Sequence, residues 1–250
     1  MNIPKGHPWK FASFNHLSIR QSQPVNTITS PLRISTVPDC LVVRFPQVFG
    51  CLSWAPWNGG EISASAVVNR QVDLHVSCSS DTVAEDFRRL FKEGSLVPEE
   101  TIGLMTAANV SAYHDCFLIS SGAWVHAVAT VGLSNARSVL DDADVELGYR
   151  CGSAGTVNLV VATNALPTIG GRLQAIHIAA SAKAAAFRDT GVMSSKSDRP
   201  ADLTGTDCLV VGASGEVEED QCGLHTVLGE MIGRAVYMVV SKGIGGLPKP

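Results

Sequence analysis

Several things are scarce in this chain of 250 residues. No run of about 18 apolar residues occurs, so no segment reads as a membrane-spanning helix. The first stretch, MNIPKGHPWKFASFNHLSIRQSQP, has no apolar h-region, and the reading expects no secretory leader. Charged residues make up only 17 %, the net charge is −4, and Lys and Arg are scattered. That excludes the basic footprint of a nucleic-acid binder. The seven cysteines, at 40, 51, 78, 116, 151, 208 and 222, are odd in number, widely spaced and never in a Cys-x-x-Cys pair. A disulfide framework and a zinc knuckle are both poor fits, and the expectation is free, buried thiols in a reducing, cytoplasmic compartment. Familiar catalytic signatures are missing too: His-Glu-x-x-His, a P-loop, Gly-x-Gly-x-x-Gly after a strand and the Gly-x-Ser-x-Gly elbow.

What is present is apolar content of 45 %, enough for a sizeable core. Residues 1–30 are polar and aperiodic and read as an N-terminal arm, with 31–245 as one domain. Arg33–Pro46 reads as a hairpin broken near Pro38-Asp39, and Val48–Ser53 as a further short strand. Glu61–Val68, rich in Ala and Ser, reads as a helical turn. Gln71–Ser77 alternates like a strand. Helices are expected from Ser80 to Phe91 and from Pro98. Cys116–Ser120, Ala123–Val131, Thr156–Thr163 and Asp207–Val211 read as strands, the third apolar enough for burial on both faces. Ile169, Leu173, Ile176, Ala180, Ala184 and Phe187 mark a long helix, and Leu228, Ile232, Ala235, Val236 and Val239 mark a last one. The acidic run Asp141-Asp142-Ala143-Asp144 lacks calcium-loop spacing and reads as a solvated turn. Hairpins followed by alternating strands and helices predict a mixed α/β fold: a mixed sheet covered by helices.

Polar residues gather at the ends of apolar strands, where loops on a rigid scaffold commonly carry function. The first cluster is Asn58-Gly59-Gly60, with Asn69 further on. It reads as a plain turn or as backbone N–H groups that approach a ligand. The second is Gly132-Leu133-Ser134-Asn135. The third is Gly155-Thr156-Val157-Asn158, where Asn158 interrupts an apolar strand and must find hydrogen-bond partners. The fourth is Thr204-Gly205-Thr206-Asp207, with His225-Thr226 at a later helix start. Asp207 could orient His225 as a base, or each could merely cap its own turn.

These clusters, in this order, resemble the adenosylcobinamide amidohydrolases of corrinoid salvage. The resemblance runs from about residue 50 to 240. It includes Asn58-Gly59-Gly60 and Asn69, Gly103-Leu104-Met105-Thr106-Ala107-Ala108, Gly132-Leu133-Ser134-Asn135-Ala136 and Gly155-Thr156-Val157-Asn158. Lys183, Thr204-Gly205-Thr206-Asp207, His225-Thr226-Val227-Leu228-Gly229-Glu230 and Ile232-Gly233-Arg234-Ala235-Val236 complete it. Three stretches depart from the family pattern. Ala180-Ser181-Ala182-Lys183 stands where the family has Thr-Glu-Ala-Lys. Ala201-Asp202-Leu203 precedes Thr204 where the family has Ala-Thr-Gly. Asn109 stands where Asp is frequent.

The resemblance implies hydrolysis of the amide joining a corrin side chain to aminopropanol, giving adenosylcobyric acid and 1-amino-2-propanol. Asp207, His225 and Lys183 are the implied catalytic residues. Asn58, Gly59, Gly60, Asn69, Ser134, Asn135, Thr156, Asn158, Thr204, Gly205 and Thr206 are the implied substrate contacts. In that scheme Gly59 and Gly60 N–H groups hold the oxyanion, Asp207 activates water through His225, and Lys183, Asn135 and Asn158 position the amide arms. A covalent route through Ser134 or Thr206 is the alternative chemistry. The corrinoid is the substrate, so no cofactor or metal is expected, and neither nucleic acid nor membrane is an expected partner. A homo-oligomer is left open. The competing reading is a corrinoid carrier or sensor that kept the pocket and lost the base, with Ser181 and Leu203 as its marks. Trp54 and Trp57 would give a corrin flat contact or cover a loop.

Overall fold

A computed structural model describes residues 29–73, 80–144, 155–166 and 168–246. The expected arm, 1–30, and the segment 74–77 of the expected strand Gln71–Ser77 lie almost wholly outside the described residues. The sheet begins with β1 (Arg33–Val37), β2 (Cys40–Ser53), β3 (Gly60–Gln71) and, after α1 (Ser80–Glu93), β4 (Thr101–Thr106). Next come β5 (His114–Ser120), β6 (Ala123–Val131), the two-residue β7 (Ala136–Arg137) and β8 (Val157–Thr163). Helix α2 (Ile169–Asp189), β9 (Leu203–Thr204), β10 (Cys208–Ala213) and α3 (Val227–Gly245) complete the chain. The strand order is β4-β3-β2-β10-β8-β6-β5, with β1 also on β2, which makes eight strands in one sheet. Two of its pairings are parallel, β3 with β4 and β8 with β10, and the rest are antiparallel. The expected mixed sheet covered by helices is the fold.

Strand β2 explains the shape. Its ladder with β3 slips between Arg44 and Phe49, at Pro46-Gln47-Val48, and proline there removes one ladder donor. The first half pairs with β1 and the second with β10 along the same edge. The sheet therefore curls, and β3 and β4 come to lie over β8 and β6. Val67, Ile102 and Leu104 from the first group share a buried cluster with Val128, Val160 and Val210 from the second. Alternation places neighbouring residues on the outer faces. Ala66 and Val68 meet Phe87 and Phe91 of α1. Val125, Ala127, Leu159, Val161 and Val211 meet α2 and α3. The result is helix, sheet, sheet, helix.

Three readings of local structure change. Glu61–Val68 is not helical but the body of β3, because a ladder to β2 runs along it and Ala66–Val68 pair with β4 as well. Pro98-Glu99-Glu100 makes one 3₁₀ turn and then yields to β4. Val48–Ser53 is the second half of β2, not a separate strand. Helix α2 has the expected extent but a rotated face. Ile169 and Leu173 are exposed, whereas Arg172 and Lys183 are buried with Ala175, Ile178, Ala179 and Phe187. A pattern search that counts only apolar residues misses a stripe containing two cations. In α3 the five marked residues are all buried, as expected.

Candidate active site

Five strand ends meet at one mouth between the two sheet layers. They are the C-terminal ends of β3, β4 and β6 and the N-terminal ends of β8 and β10. Inside, a chain of buried polar groups crosses the gap. Asn69 on β3 donates from Nδ2 to Thr130 Oγ1 on β6 at 2.8 Å. Asn158 on β8 donates from Nδ2 to Asn69 Oδ1 at 2.9 Å and to Met105 O at 2.9 Å. Thr156 Oγ1 lies 3.2 Å from Asn158 Oδ1 and 3.1 Å from Thr106 Oγ1. All five side chains belong to buried residues. Burying so many amide and hydroxyl groups is tolerable because they satisfy one another. The polar interruption at Asn158 thus has its partners, and they come from both layers.

Beside this chain sits Asp207, in the turn between β9 and β10. Its Oδ1 accepts from Val157 N at 3.1 Å and from the Thr204 hydroxyl. Its Oδ2 accepts from Thr204 N at 3.2 Å and pairs with Lys183 Nζ, which reaches in from α2. The two side chains are only 10 % and 9 % exposed, so this is a buried ion pair. Each carboxylate oxygen already holds two donors, its full capacity. Asp207 is built to clamp the start of β8 to the β9–β10 turn, and Thr204 Oγ1 reinforces the clamp by accepting from Val157 N at 3.2 Å. Cys208 follows directly, and burial pushes its thiol up to about 11, so it stays a neutral packing group at neutral pH.

The loop after β6 closes the mouth from the side. Gly132 N donates to Thr156 O at 3.0 Å, and Gly205 N donates to Asn135 O at 2.9 Å. A Cβ at Gly205 would lie 2.7 Å from Asn135 Nδ2, so glycine is required there. Gly155 has φ +154°, and a Cβ on it would fall 1.9 Å from Ser134 Oγ. Ser134, Asn135, Thr204, Gly205 and Thr206 thus flank Thr156 and Asp207, as their shared position at strand ends suggested. At the rim, Trp54 is 51 % exposed while its Nε1 donates to Asp207 O at 2.7 Å. It offers a flat apolar face directly beside the polar cluster.

Five expected members, Asn58, Gly59, Gly60, Trp57 and His225, are not in this cluster. The hydrogen bonds of Asn58 run to Pro98 O at 2.7 Å and Thr101 O at 2.8 Å, with φ +52°. Gly59 lies against the Ala55 backbone, and Gly60 has φ +95°. Asn58-Gly59-Gly60 is therefore the turn that carries β2 into β3. Trp57 packs its ring on Phe87 and Phe91 rather than at the mouth. His225 is exposed just before α3, which begins beyond the C-terminal end of β10, whereas Asp207 precedes its N-terminal end. The six-pair ladder of β8 and β10 separates those ends by roughly 20 Å. Asp207 and His225 do not form a pair, because strand direction sends them to opposite ends of the sheet. Thr106 and Thr130 complete the buried chain, although the strand-end reading did not single them out. The signal for Thr130 was a polar residue inside Ala123–Val131.

The departures from the family pattern fall outside this buried chain. Ser181 is exposed and its hydroxyl donates to His177 O of its own helix at 2.9 Å. Leu203 pairs with Arg137 across β7 and β9. Asn109 caps a 3₁₀ turn by accepting from Ser111 N. Of the acidic run read as a solvated turn, Asp142 and Asp144 are exposed, but the Asp141 side chain is only 3 % exposed, and the hydroxyls of Ser194 and Ser197 hold it down at about 2. Among the described residues no cluster of His, Cys, Asp and Glu could hold a metal, and no helix is long and apolar enough to cross a membrane. Cys40, Cys51, Cys116, Cys208 and Cys222 are free and buried.

Among solved structures, the chain is similar to a β-aminopeptidase of a Burkholderia species, at 10 % identity and TM-score 0.44, over 82 % of this chain and 78 % of that one. It is also similar to the L-aminopeptidase D-Ala-esterase/amidase of Ochrobactrum anthropi, at 10 % identity and TM-score 0.37, over 87 % and 85 %. An uncharacterized protein of Methanocaldococcus jannaschii is 41 % identical over 83 residues, and the match spans 33 % of this chain and 32 % of that relative's length. The adenosylcobinamide amidohydrolase family matches residues 26–246, which takes in every element of the sheet and all three helices. On that match the chain belongs to the adenosylcobinamide amidohydrolase family, hydrolases that act on an amide.

Proposed function

We propose that this protein hydrolyses the amide between a corrin side chain and aminopropanol in adenosylcobinamide, releasing adenosylcobyric acid and 1-amino-2-propanol. The observation that carries the reading is the convergence at one mouth of Thr156, Asn158, Asn69 and the Lys183–Asp207 pair under the exposed face of Trp54. A corrinoid has a broad apolar rim and amide arms. Trp54 suits the rim, and the hydroxyl and carboxamide groups behind it suit an arm. Lys183 and Asp207 hold the β8 start in place and set the electrostatics of the mouth. The test is incubation of the pure protein with adenosylcobinamide, read by mass spectrometry. Cobyric acid and free aminopropanol are expected, and a protein that yields neither refutes the reading.

A corrinoid-binding carrier is the second reading, favoured by one observation: both oxygens of the site's carboxylate are already engaged by donors of the protein itself. Binding measured by a shift of the corrin absorption spectrum, without product, selects the carrier.

A further inference from the structure

Amide hydrolysis needs a nucleophile and a group that takes its proton. In the mouth, Asp207 and Lys183 are committed to each other and to the backbone around Val157. The Cys208 thiol is neutral. The groups lining the Asn69–Asn158–Thr156–Thr106 chain are carboxamides and hydroxyls, which are not bases. One hydroxyl stands at a chemically distinct place. Thr156 is the residue just before the buried strand β8, and its Oγ1 points into the polar chain. A threonine can receive its base from its own α-amine when it is the first residue of a chain.

We propose that the protein cleaves its own Gly155–Thr156 peptide bond and that the freed Thr156 is the nucleophile of the amidase; the second part rests on the proposed amide hydrolysis. Thr156 Oγ1 attacks the Gly155 carbonyl carbon. The C–N bond breaks, an ester forms, and the hydroxyl proton goes to the Thr156 nitrogen, which becomes an amine. Water then hydrolyses the ester, leaving Gly155 with a carboxylic acid and Thr156 with its hydroxyl restored. In turnover the amine takes the hydroxyl proton while Oγ1 attacks the substrate amide carbon. Aminopropanol leaves with that proton, and water releases cobyric acid from the acyl ester.

Three features of the fold suit this bond. First, Gly155 has φ +154°, and Ser134 Oγ and Asn135 N lie 1.9 and 3.2 Å from where its Cβ would be. No side chain fits, and the Ser134 hydroxyl and the Asn135 N–H crowd the Gly155 α-carbon from the loop after β6. Second, the bond lies outside the ladder. β8 pairs with β10 from Asn158 and with β6 from Val157, so a cut before Thr156 removes no sheet hydrogen bond. Third, the new terminus would be held in place. Thr156 O accepts from Gly132 N, and Val157 N is gripped by Asp207 and Thr204. This gives the buried ion pair a purpose, that of fixing the nucleophile's strand start.

Intact-mass measurement of the freshly purified full chain, followed by N-terminal sequencing, tests the cut without any corrinoid. Two fragments, 1–155 and 156–250, with a new terminus at Thr156, are expected. An uncut wild-type chain, or a cut elsewhere, overturns the proposal. Thr156→Val, similar in shape, is expected to remain one chain and to lower turnover by roughly a thousandfold or more. Thr156→Ser keeps the hydroxyl and is expected to cut and turn over. If Thr156→Val misfolds, a Thr156→Ser chain that stays intact still refutes the mechanism. A cut protein that leaves adenosylcobinamide untouched refutes the corrinoid reading and leaves self-cleavage standing.

Discussion

The layer between the two halves of the sheet has two unlike ends. At the Asp207 end, Asn69, Thr106, Thr130, Thr156 and Asn158 form a buried polar chain, and Trp54 is half-exposed against the Asp207 backbone. At the other end the layer is apolar and aromatic, built on Phe45, Phe49, Trp124 and Phe117, with a polar ring side chain among them. That side chain is His126, 2 % exposed. Ser30 Oγ lies 2.5 Å from its Nδ1 and Asp115 Oδ2 lies 2.9 Å from its Nε2, while Leu32 N donates to Ser30 Oγ at 3.1 Å. Both ends satisfy their buried polar atoms, but in different ways. The His126 end uses the incoming chain as a plug, which closes the layer. The Asn158 end uses side chains from facing strands, which leaves backbone loops free to shape a mouth.

The comparison breaks most sharply at the ion pair. Asp207→Ala leaves Lys183 buried without a partner and should cost about 3–5 kcal/mol, measured by urea unfolding, together with loss of corrinoid cleavage. Replacing both partners, as Lys183→Met with Asp207→Leu, should recover much of the stability and none of the activity. If the single variant is as stable as the wild type, Asp207 does not clamp β8.

Asn158→Leu should cost about 1–3 kcal/mol for each partner left unsatisfied, with Asn69 and the Met105 carbonyl the first to suffer. A crystal structure of the variant with ordered water replacing the carboxamide would reduce that loss. The plugged end should respond to acid instead. Burial lowers the His126 pKa from 6.5, opposed by the hydrogen bond and charge of Asp115. The unfolded chain therefore binds the proton more readily. Stability is fully present above the unfolded value of about 6.5 and falls as pH drops through the lower folded value. Melting temperature followed against pH should show this slope, and His126→Phe should flatten it. Smallest in stability is Trp54→Ala, within about 0.5 kcal/mol because the ring is half in solvent. Its effect should appear as a raised KM for adenosylcobinamide, and an unchanged KM would remove Trp54 from the site.

Much of this was legible in the residues. The β5–β6 hairpin, the double-sided burial of β8, the extent of α2 and the inward face of α3 follow from apolar period and turn chemistry. Asn158 announced itself as a polar residue in an apolar strand. What misled was also physical. The Ala- and Ser-rich start of β3 carries no strong local preference, so its partners in the sheet decided its structure. The buried face of α2 holds Arg172 and Lys183, whose charges are tolerable only beside Glu61 and Asp207, residues far away in the chain. Asp207 and His225 are near in sequence but not in space, because a strand and a loop run between them.

Composition and period determined by themselves that this is a mixed α/β chain with polar strand ends, since burial and periodicity are local demands on residue type. Which strand ends share a mouth was settled only by the slip in β2, which curls the sheet and lays β3 and β4 over β6 and β8. The direction of β10 and the packing of α2 on its layer decided that Lys183, not His225, reaches Asp207, and the curl decided that Asn69 and Asn158, 89 residues apart, touch. Those outcomes depend on strand direction and layer crossing, which no local pattern of side chains encodes.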